Sequence, residues 1–358
     1  KGYSSPLRLS NDLTNYDYEV LLHEIGHALG LKHPFEDDRN NTATLNSYED
    51  HTRFTAMSYD SDSLTFDGIF RSLDWMTLTK FYGVNPNYNA GDDIYGFDDE
   101  NGIFIIDGGG NDTINTGIST EDIFIDLNPG THSYEGQKSI YITDAKQLTI
   151  SHGSDIENVQ TDSGDDTIIG NNLPNNIKSG GGDDVIFAGE GEDIVYSGLG
   201  IDYVDLSEDR NVRDVIVLEQ TNGGMLYDTV YGFTQGVSGD AFNIKKLNFP
   251  SLTSLPLVDG LNVPSGYVDN CLVRVFGKGL NDVNEVTNAF SNSGNLESLK
   301  LSVDGHALFI SALSQSTGDV QNLYHVQNRS GSIDVYHLTQ LIGNYLDIDN
   351  WSFENFII

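Results

Sequence analysis

The feature that most limits what this chain can fold into is a nine-residue period between residues 161 and 205. Written in register, the blocks are TDSGDDTII, GNNLPNNIK, SGGGDDVIF, AGEGEDIVY and SGLGIDYVD. The sixth residue is always Asp or Asn: Asp166, Asn175, Asp184, Asp193 and Asp202. The eighth is always aliphatic: Ile168, Ile177, Ile186, Val195 and Val204. An outlying copy, DGGGNDTIN, occupies residues 107–115. A unit this short cannot bury its own aliphatic side chain, so such units must stack around a shared thin core.

Each block reads as a turn followed by a three-residue strand whose central side chain points inward. Glycines at the second and fourth positions are free to take positive φ and present backbone carbonyls. They are Gly108 and Gly110 in the outlying copy, Gly164 in the first block, then Gly180, Gly182, Gly189, Gly191, Gly198 and Gly200. The carboxylates of Asp112, Asp166, Asp184, Asp193 and Asp202 add charge. Carbonyls and carboxylates from successive blocks are expected to surround a hard cation, and all-oxygen coordination suits Ca2+. Several calcium ions are expected. The block GNNLPNNIK lacks two glycines and its acid, so its site is expected to be weak or absent.

The charge balance agrees. Acidic residues outnumber basic ones 54 to 18, a formal net charge of −36. That excludes nucleic acid, which needs clustered Lys and Arg, and disfavours anionic membrane surfaces. It suits a fold built around divalent cations, and predicts disorder of the repeats without them. Cys271 is the one cysteine, so no internal disulfide forms; within VDNCLVRVF it reads as a buried hydrophobe. No apolar stretch approaches the ~20 residues of a membrane helix.

Three textures follow one another: residues 1–88 are mixed, 89–245 are rich in Gly and Asp, and 246–358 read as ordinary α+β sequence. Helices are predicted over YEVLLHEIGHALGL, SLDWMTLTKFYG and LNDVNEVTNAF. A hairpin is predicted at Asp304–Gly305, between LKLSV and HALFI.

The first helix carries HEIGHALGLKH, residues 23–33. His23 and His27 lie four apart, which puts both imidazoles on one helix face, as two ligands of a tetrahedral zinc require. Glu24 stands beside the metal, placed to take a proton from a zinc-bound water. Gly30 turns the chain so that His33 returns as a third ligand, leaving the open position of a catalytic zinc. A lone histidine is more often a packed one; five fixed positions of H-E-x-x-H-x-x-G-x-x-H argue for a metal.

On these residues the sequence resembles the metzincin metalloproteases. TAMSYD at 55–60 is similar to their Met-turn. The resemblance implies that Met57 forms a hydrophobic floor beneath the imidazoles and Tyr59 a displaceable zinc ligand. M-S-Y together with the nonapeptides resembles the serralysins, secreted bacterial metalloproteases with calcium-binding tails. LTKFYGVNPNYNAGDDIYGFDDENG and LTISHGSDIENVQTDSGDDTIIGN extend that likeness, which covers roughly residues 18–240. The ending ENFII, through Glu354, Phe356, Ile357 and Ile358, resembles an uncleaved type I export signal.

The resemblance implies a mixed α+β and β protein. Residues 1–88 would be the C-terminal part of a zinc metalloprotease domain, its lower-subdomain helices. Residues 89–245 would be a calcium-binding parallel β-roll, and 246–358 a mostly antiparallel C-terminal region with the export signal. It further implies an extracellular zinc endopeptidase with one Zn2+, acting on protein or peptide substrates and exported by type I machinery. Only 22 residues precede His23, too few for the upper half-domain whose edge strand pairs with substrate in metzincins. Two readings therefore stand. One is an endopeptidase, with the missing upstream fragment as a partner. The other is a calcium-dependent scaffold or adhesion protein whose lobe is incomplete and inactive.

Overall fold

The computed structural model describes residues 15–37, 41–61, 69–210, 212–218, 228–235 and 238–247, and beyond these a set of shorter stretches. Those are 257–259, 266–267, 271–276, 282–289, 299–300, 306–312, 320–329, 332–342, 351 and 355–357. Asp304, Gly305, Glu354 and Ile358 lie outside the described residues, as does the side chain of Cys271.

Successive repeat strands do not pair with each other. Thr167–Ile169, Val185–Phe187 and Tyr203–Asp205 pair in parallel within one sheet, in register Ile168↔Ile186↔Val204. Asn158–Gln160, Asn176–Lys178 and Ile194–Tyr196 do the same within a second sheet, in register Val159↔Ile177↔Val195. After each short strand the glycine turn carries the chain to the opposite sheet, so paired neighbours come from every second block. The expectation that successive blocks share a cation is corrected here: equivalent positions stack 18 residues apart. The eighth-position side chains of both sheets meet between them, and Ile168, Ile177, Ile186, Val195 and Val204 are fully buried. This is a β-roll, with one inward side chain per strand as the period of two demands.

The coil outlasts the repeat. Val215–Val217 and Ala241–Asn243 extend one sheet, and Asp228–Tyr231 the other. Ser332–Ile342 then pairs in parallel with Asp228–Tyr231, and Phe356–Ile357 with Ala241–Asn243. Both sheets thus run on into the C-terminal region. There Val320–Arg329 pairs antiparallel with His306–Ala312 and with Ser332–Ile342, while Cys271–Phe276 pairs in parallel with His306–Ala312. The hairpin expected at Asp304–Gly305 lies outside the described residues. Leu299–Lys300 joins Gly266–Tyr267, and the tight reversal falls between Arg329 and Ser332. The rings of Phe233, Phe242, Trp351 and Phe356 stack at this end of the core.

Helix α1 spans Asn15–Ala28, α2 spans Ser72–Tyr82 and α3 spans Val283–Ala289. Gly30 and Gly83, at φ +95 and +75, follow the first two, in conformations a Cβ resists. The segment bearing these helices rests on the roll. Thr143 Oγ1 donates to Glu49 Oε1 (3.2 Å), Tyr48 and Tyr141 stack at 4.7 Å, and Met76 Sδ lies 3.9 Å from Ser151 Oγ. Among the described residues, no helix is long and apolar enough to cross a membrane.

Candidate metal centres

The end of α1 brings His23, His27 and His33 together, with one ligand atom from each lying within 4.8 Å of the others. His33 Nε2 is 3.0 Å from His23 Nε2 and 3.1 Å from His27 Nε2. The far ring nitrogens fix the tautomers. His23 Nδ1 faces Ala56 O at 2.8 Å, and His27 Nδ1 faces Leu31 O at 2.9 Å. A carbonyl only accepts, so each Nδ1 carries the proton and each Nε2 presents a lone pair. His33 Nδ1 lies 2.9 Å from Glu36 Oε1, and this contact pulls the Glu36 carboxyl below its ordinary pKa. Burial holds His23 below the usual histidine value, which keeps it neutral at pH 7. Converging lone pairs with no proton between them are what a cation resolves, and an all-imidazole set with open space suits zinc.

Tyr59 places its hydroxyl 2.8 Å from His33 Nε2, and the ring itself is 64% exposed. Glu24 is exposed beside His23 on α1, as a base facing solvent and substrate would be. Met57 is buried, packed against Leu31 and Leu78. Gly26 makes room for it: a Cβ there would lie 2.4 Å from Met57 Sδ. Spacing arguments missed Gly26; a glycine inside a helix, about 1 kcal/mol worse than alanine, was the available signal. They also missed Asp74, which is 2% exposed. Its Oδ1 accepts from Thr55 Oγ1 at 2.6 Å, and its Oδ2 from the N–H groups of Ala56 and Arg71 at 2.7 and 2.9 Å. Burial raises its pKa against those donors.

In the roll, the sixth-position carboxylates form two ladders. Asp166 N–H donates to Asp184 Oδ1 (2.9 Å), Asp184 N–H to Asp202 Oδ1 (2.9 Å) and Asp202 N–H to Asp228 Oδ1 (3.2 Å). On the other sheet, Asn175 N–H donates to Asp193 Oδ1 (2.8 Å), Asp193 N–H to Asp214 Oδ1 (2.9 Å) and Asp214 N–H to Asp240 Oδ1 (2.9 Å). The second oxygens are left over. Oδ2 of Asp112, Asp166, Asp184, Asp193 and Asp202 is buried without a hydrogen-bond partner. Burial pushes the carboxyls of Asp184 and Asp193 up to about 7, that of Asp214 up to about 8, and those of Asp112 and Asp240 up to about 6. It also raises Asp166 and the facing pair Asp202 and Asp228. Orphaned anionic oxygens in a stack call for cations, and Ca2+ fits their chemistry. Asn175 makes no such demand: its amide is satisfied by Asn171 and by Glu157 O.

Gly164, Gly180, Gly182, Gly189, Gly191, Gly198 and Gly200 all have positive φ. The expectation fails in the outlying copy, where the positive φ falls on Gly109 rather than Gly108 or Gly110. Those two serve close approach instead: a Cβ would meet Asn85 O at 2.3 Å and Gly91 O at 2.0 Å. Asp93, Asp107 and Asp112 converge there, and Glu157 Oε2 accepts Asp112 N–H at 2.8 Å. Asp93, Asp107 and Glu157 were not singled out from the sequence, because their partners lie far along the chain. Asp214, Asp228 and Asp240 were not singled out either, although a signal was available: Asp214 and Asp240 directly precede a short strand, as in the repeats, and Asp228 opens one.

The class these features define is a β-roll protein built from calcium-binding nonapeptides. The family model for the RTX calcium-binding nonapeptide repeat (4 copies) matches residues 153–172 and 169–204. The chain is 36% identical over 196 residues to "Metallopeptidase AprA" of Pseudomonas marginalis, covering 47% of this chain and 40% of that protein. It is 34% identical over 196 residues to "Serralysin" of Photorhabdus luminescens, covering 47% and 39%. It is 32% identical over 191 residues to "Serralysin" of Proteus mirabilis, covering 46% and 38%. The chain is thus similar to serralysin metalloproteases over about half of its length and carries RTX repeats. It spans about two fifths of the length of those relatives, and the matched part is the one with the calcium repeats.

Proposed function

We propose that the chain belongs to a secreted zinc endopeptidase that hydrolyses peptide bonds of extracellular proteins, its histidine segment held on a calcium-loaded roll. The observation that carries this reading is the convergence of three imidazole Nε2 atoms beside the Tyr59 hydroxyl. Zinc bound there would polarise a peptide carbonyl and acidify a water. Glu24 accepts the proton of the attacking water and passes it to the leaving amine. Tyr59, with its hydroxyl 2.8 Å from His33 Nε2, would turn toward the carbonyl oxygen as negative charge develops. His23, His27 and His33 hold their lone pairs at one point through their Nδ1 contacts.

Asp112, Asp166, Asp184, Asp193 and Asp202, with the turn glycines, are the proposed calcium ligands. Export through type I machinery fits a chain that folds only on meeting calcium. Phe356 is buried in the roll, so the tail would be readable only before folding. The similarity confined to the calcium-repeat part favours a second reading, a calcium-dependent scaffold with an inactive lobe.

The two separate experimentally. Zinc content is measured on the calcium-loaded chain, then casein or gelatin cleavage with and without an upstream half-domain supplied in trans. The proposal expects one zinc per chain, and cleavage that Glu24→Ala reduces about 10²–10⁴-fold. Stoichiometric zinc with no cleavage under either condition selects the scaffold. Cleavage untouched by Glu24→Ala sinks the mechanism.

A further inference from the structure

Asp74 is far from the reacting face, yet it ends a continuous hydrogen-bond chain that begins on a metal ligand. His23 Nδ1 donates to Ala56 O (2.8 Å). The N–H of that same peptide, on Met57, donates to Thr55 Oγ1 (3.0 Å). Thr55 Oγ1 donates in turn to Asp74 Oδ1 (2.6 Å). Asp74 Oδ2 clamps the other side of residue 56 through its N–H (2.7 Å).

A helix-capping role does not require this arrangement. Capping α2 needs only the bond from Arg71 N–H, which an exposed acid at the same position could accept. Burying a carboxylate is unfavourable unless both of its oxygens are hydrogen-bonded. Here Oδ1 points away from the helix end, at Thr55, and the residue is 2% exposed. The other two imidazoles have shorter supports: His27 rests on Leu31 O alone, and His33 faces the exposed Glu36 directly.

We propose that Asp74 is a positioning residue of the metal centre, acting on His23 through Thr55 and the Ala56–Met57 peptide. It rests on the reading that the three-histidine cluster binds zinc. The carboxylate draws the Thr55 proton, which makes Oγ1 a better acceptor for Met57 N–H. That polarises the peptide, strengthens Ala56 O as acceptor from His23, and raises electron density at Nε2. The bond from its N–H also fixes the backbone of Met57, which packs against Leu31 and Leu78.

The test uses the full calcium-loaded chain with Thr55→Val, Thr55→Ser and Asp74→Asn. Zinc affinity is measured by chelator competition, and the ligand field by the visible spectrum of the Co2+-loaded chain. Melting temperature at saturating calcium controls for folding. Thr55→Val and Asp74→Asn are expected to weaken zinc about 10–100-fold and to shift the cobalt bands. Thr55→Ser, which keeps the hydroxyl, should restore both. Should Asp74→Asn fail to fold, the Thr55 pair decides alone. Parent-like affinity and spectrum in Thr55→Val overturn the proposal, as does a Thr55→Ser no better than Thr55→Val. A parent chain that binds no zinc overturns the metal reading and this proposal together.

Discussion

A methyl group on Gly26 would sit 2.4 Å from Met57 Sδ, inside the helix that carries two of the histidines. Helix propensity favours Gly26→Ala by about 1 kcal/mol, whereas overpacking a buried site costs about 1–3 kcal/mol. The clash should win, because Met57 is 1% exposed and has α1 above it. Gly26→Ala is therefore expected to lower zinc affinity and melt the N-terminal segment earlier, read by chelator competition and by near-ultraviolet dichroism. Gly200 makes a sharper case: its φ is +145, and a Cβ would meet Gly182 O at 1.8 Å. Gly200→Ala should raise the calcium midpoint of folding in a calcium titration, while an alanine at the open, exposed Gly91 should not. The histidines were legible because helical spacing alone brings His23 and His27 together. Asp74 was not, since its partners lie 18 and 19 positions away across a turn.

The ladders decide how the strands respond to pH. An unfolded aspartate titrates near 3.9, whereas burial moves Asp184, Asp193 and Asp214 to about 7, 7 and 8. Without a cation, the native roll then binds more protons than the unfolded chain between about pH 4 and 8. Its stability must fall as pH rises through that window. Calcium needs the ionised groups, so its midpoint concentration should fall as pH rises. Dichroism in chelator and in titrated calcium should thus show opposite pH trends; parallel trends would contradict the ladder account. Asp184→Asn keeps an acceptor for Asp166 N–H but removes charge. It should raise the calcium midpoint without weakening the metal-free form. The inward aliphatic and the strand after each acid could be read directly from the nine-residue period. The pairing of every second block could not, because it depends on which sheet the chain reaches after each turn.

At the scale of the molecule, the histidine-bearing segment and the roll are in contact. Glu49 bonds Thr143, Tyr48 stacks on Tyr141, and α2 touches Ser151 through Met76. Asp50, next to Glu49, accepts from Ser58 Oγ at 2.6 Å, one residue from Tyr59. Loss of calcium should therefore weaken the histidine centre as well as the roll, visible as zinc release when calcium alone is withdrawn. The roll's core is one inward aliphatic per short strand, under a net charge of −36. Such a core cannot offset the chain entropy and the self-repulsion without cations. The most direct measurement is far-ultraviolet circular dichroism of the full chain through a calcium titration at neutral pH. Strand signal is expected to rise cooperatively as calcium is added and to vanish in excess chelator. The same strand content in chelator as in calcium would contradict a fold built around the ion.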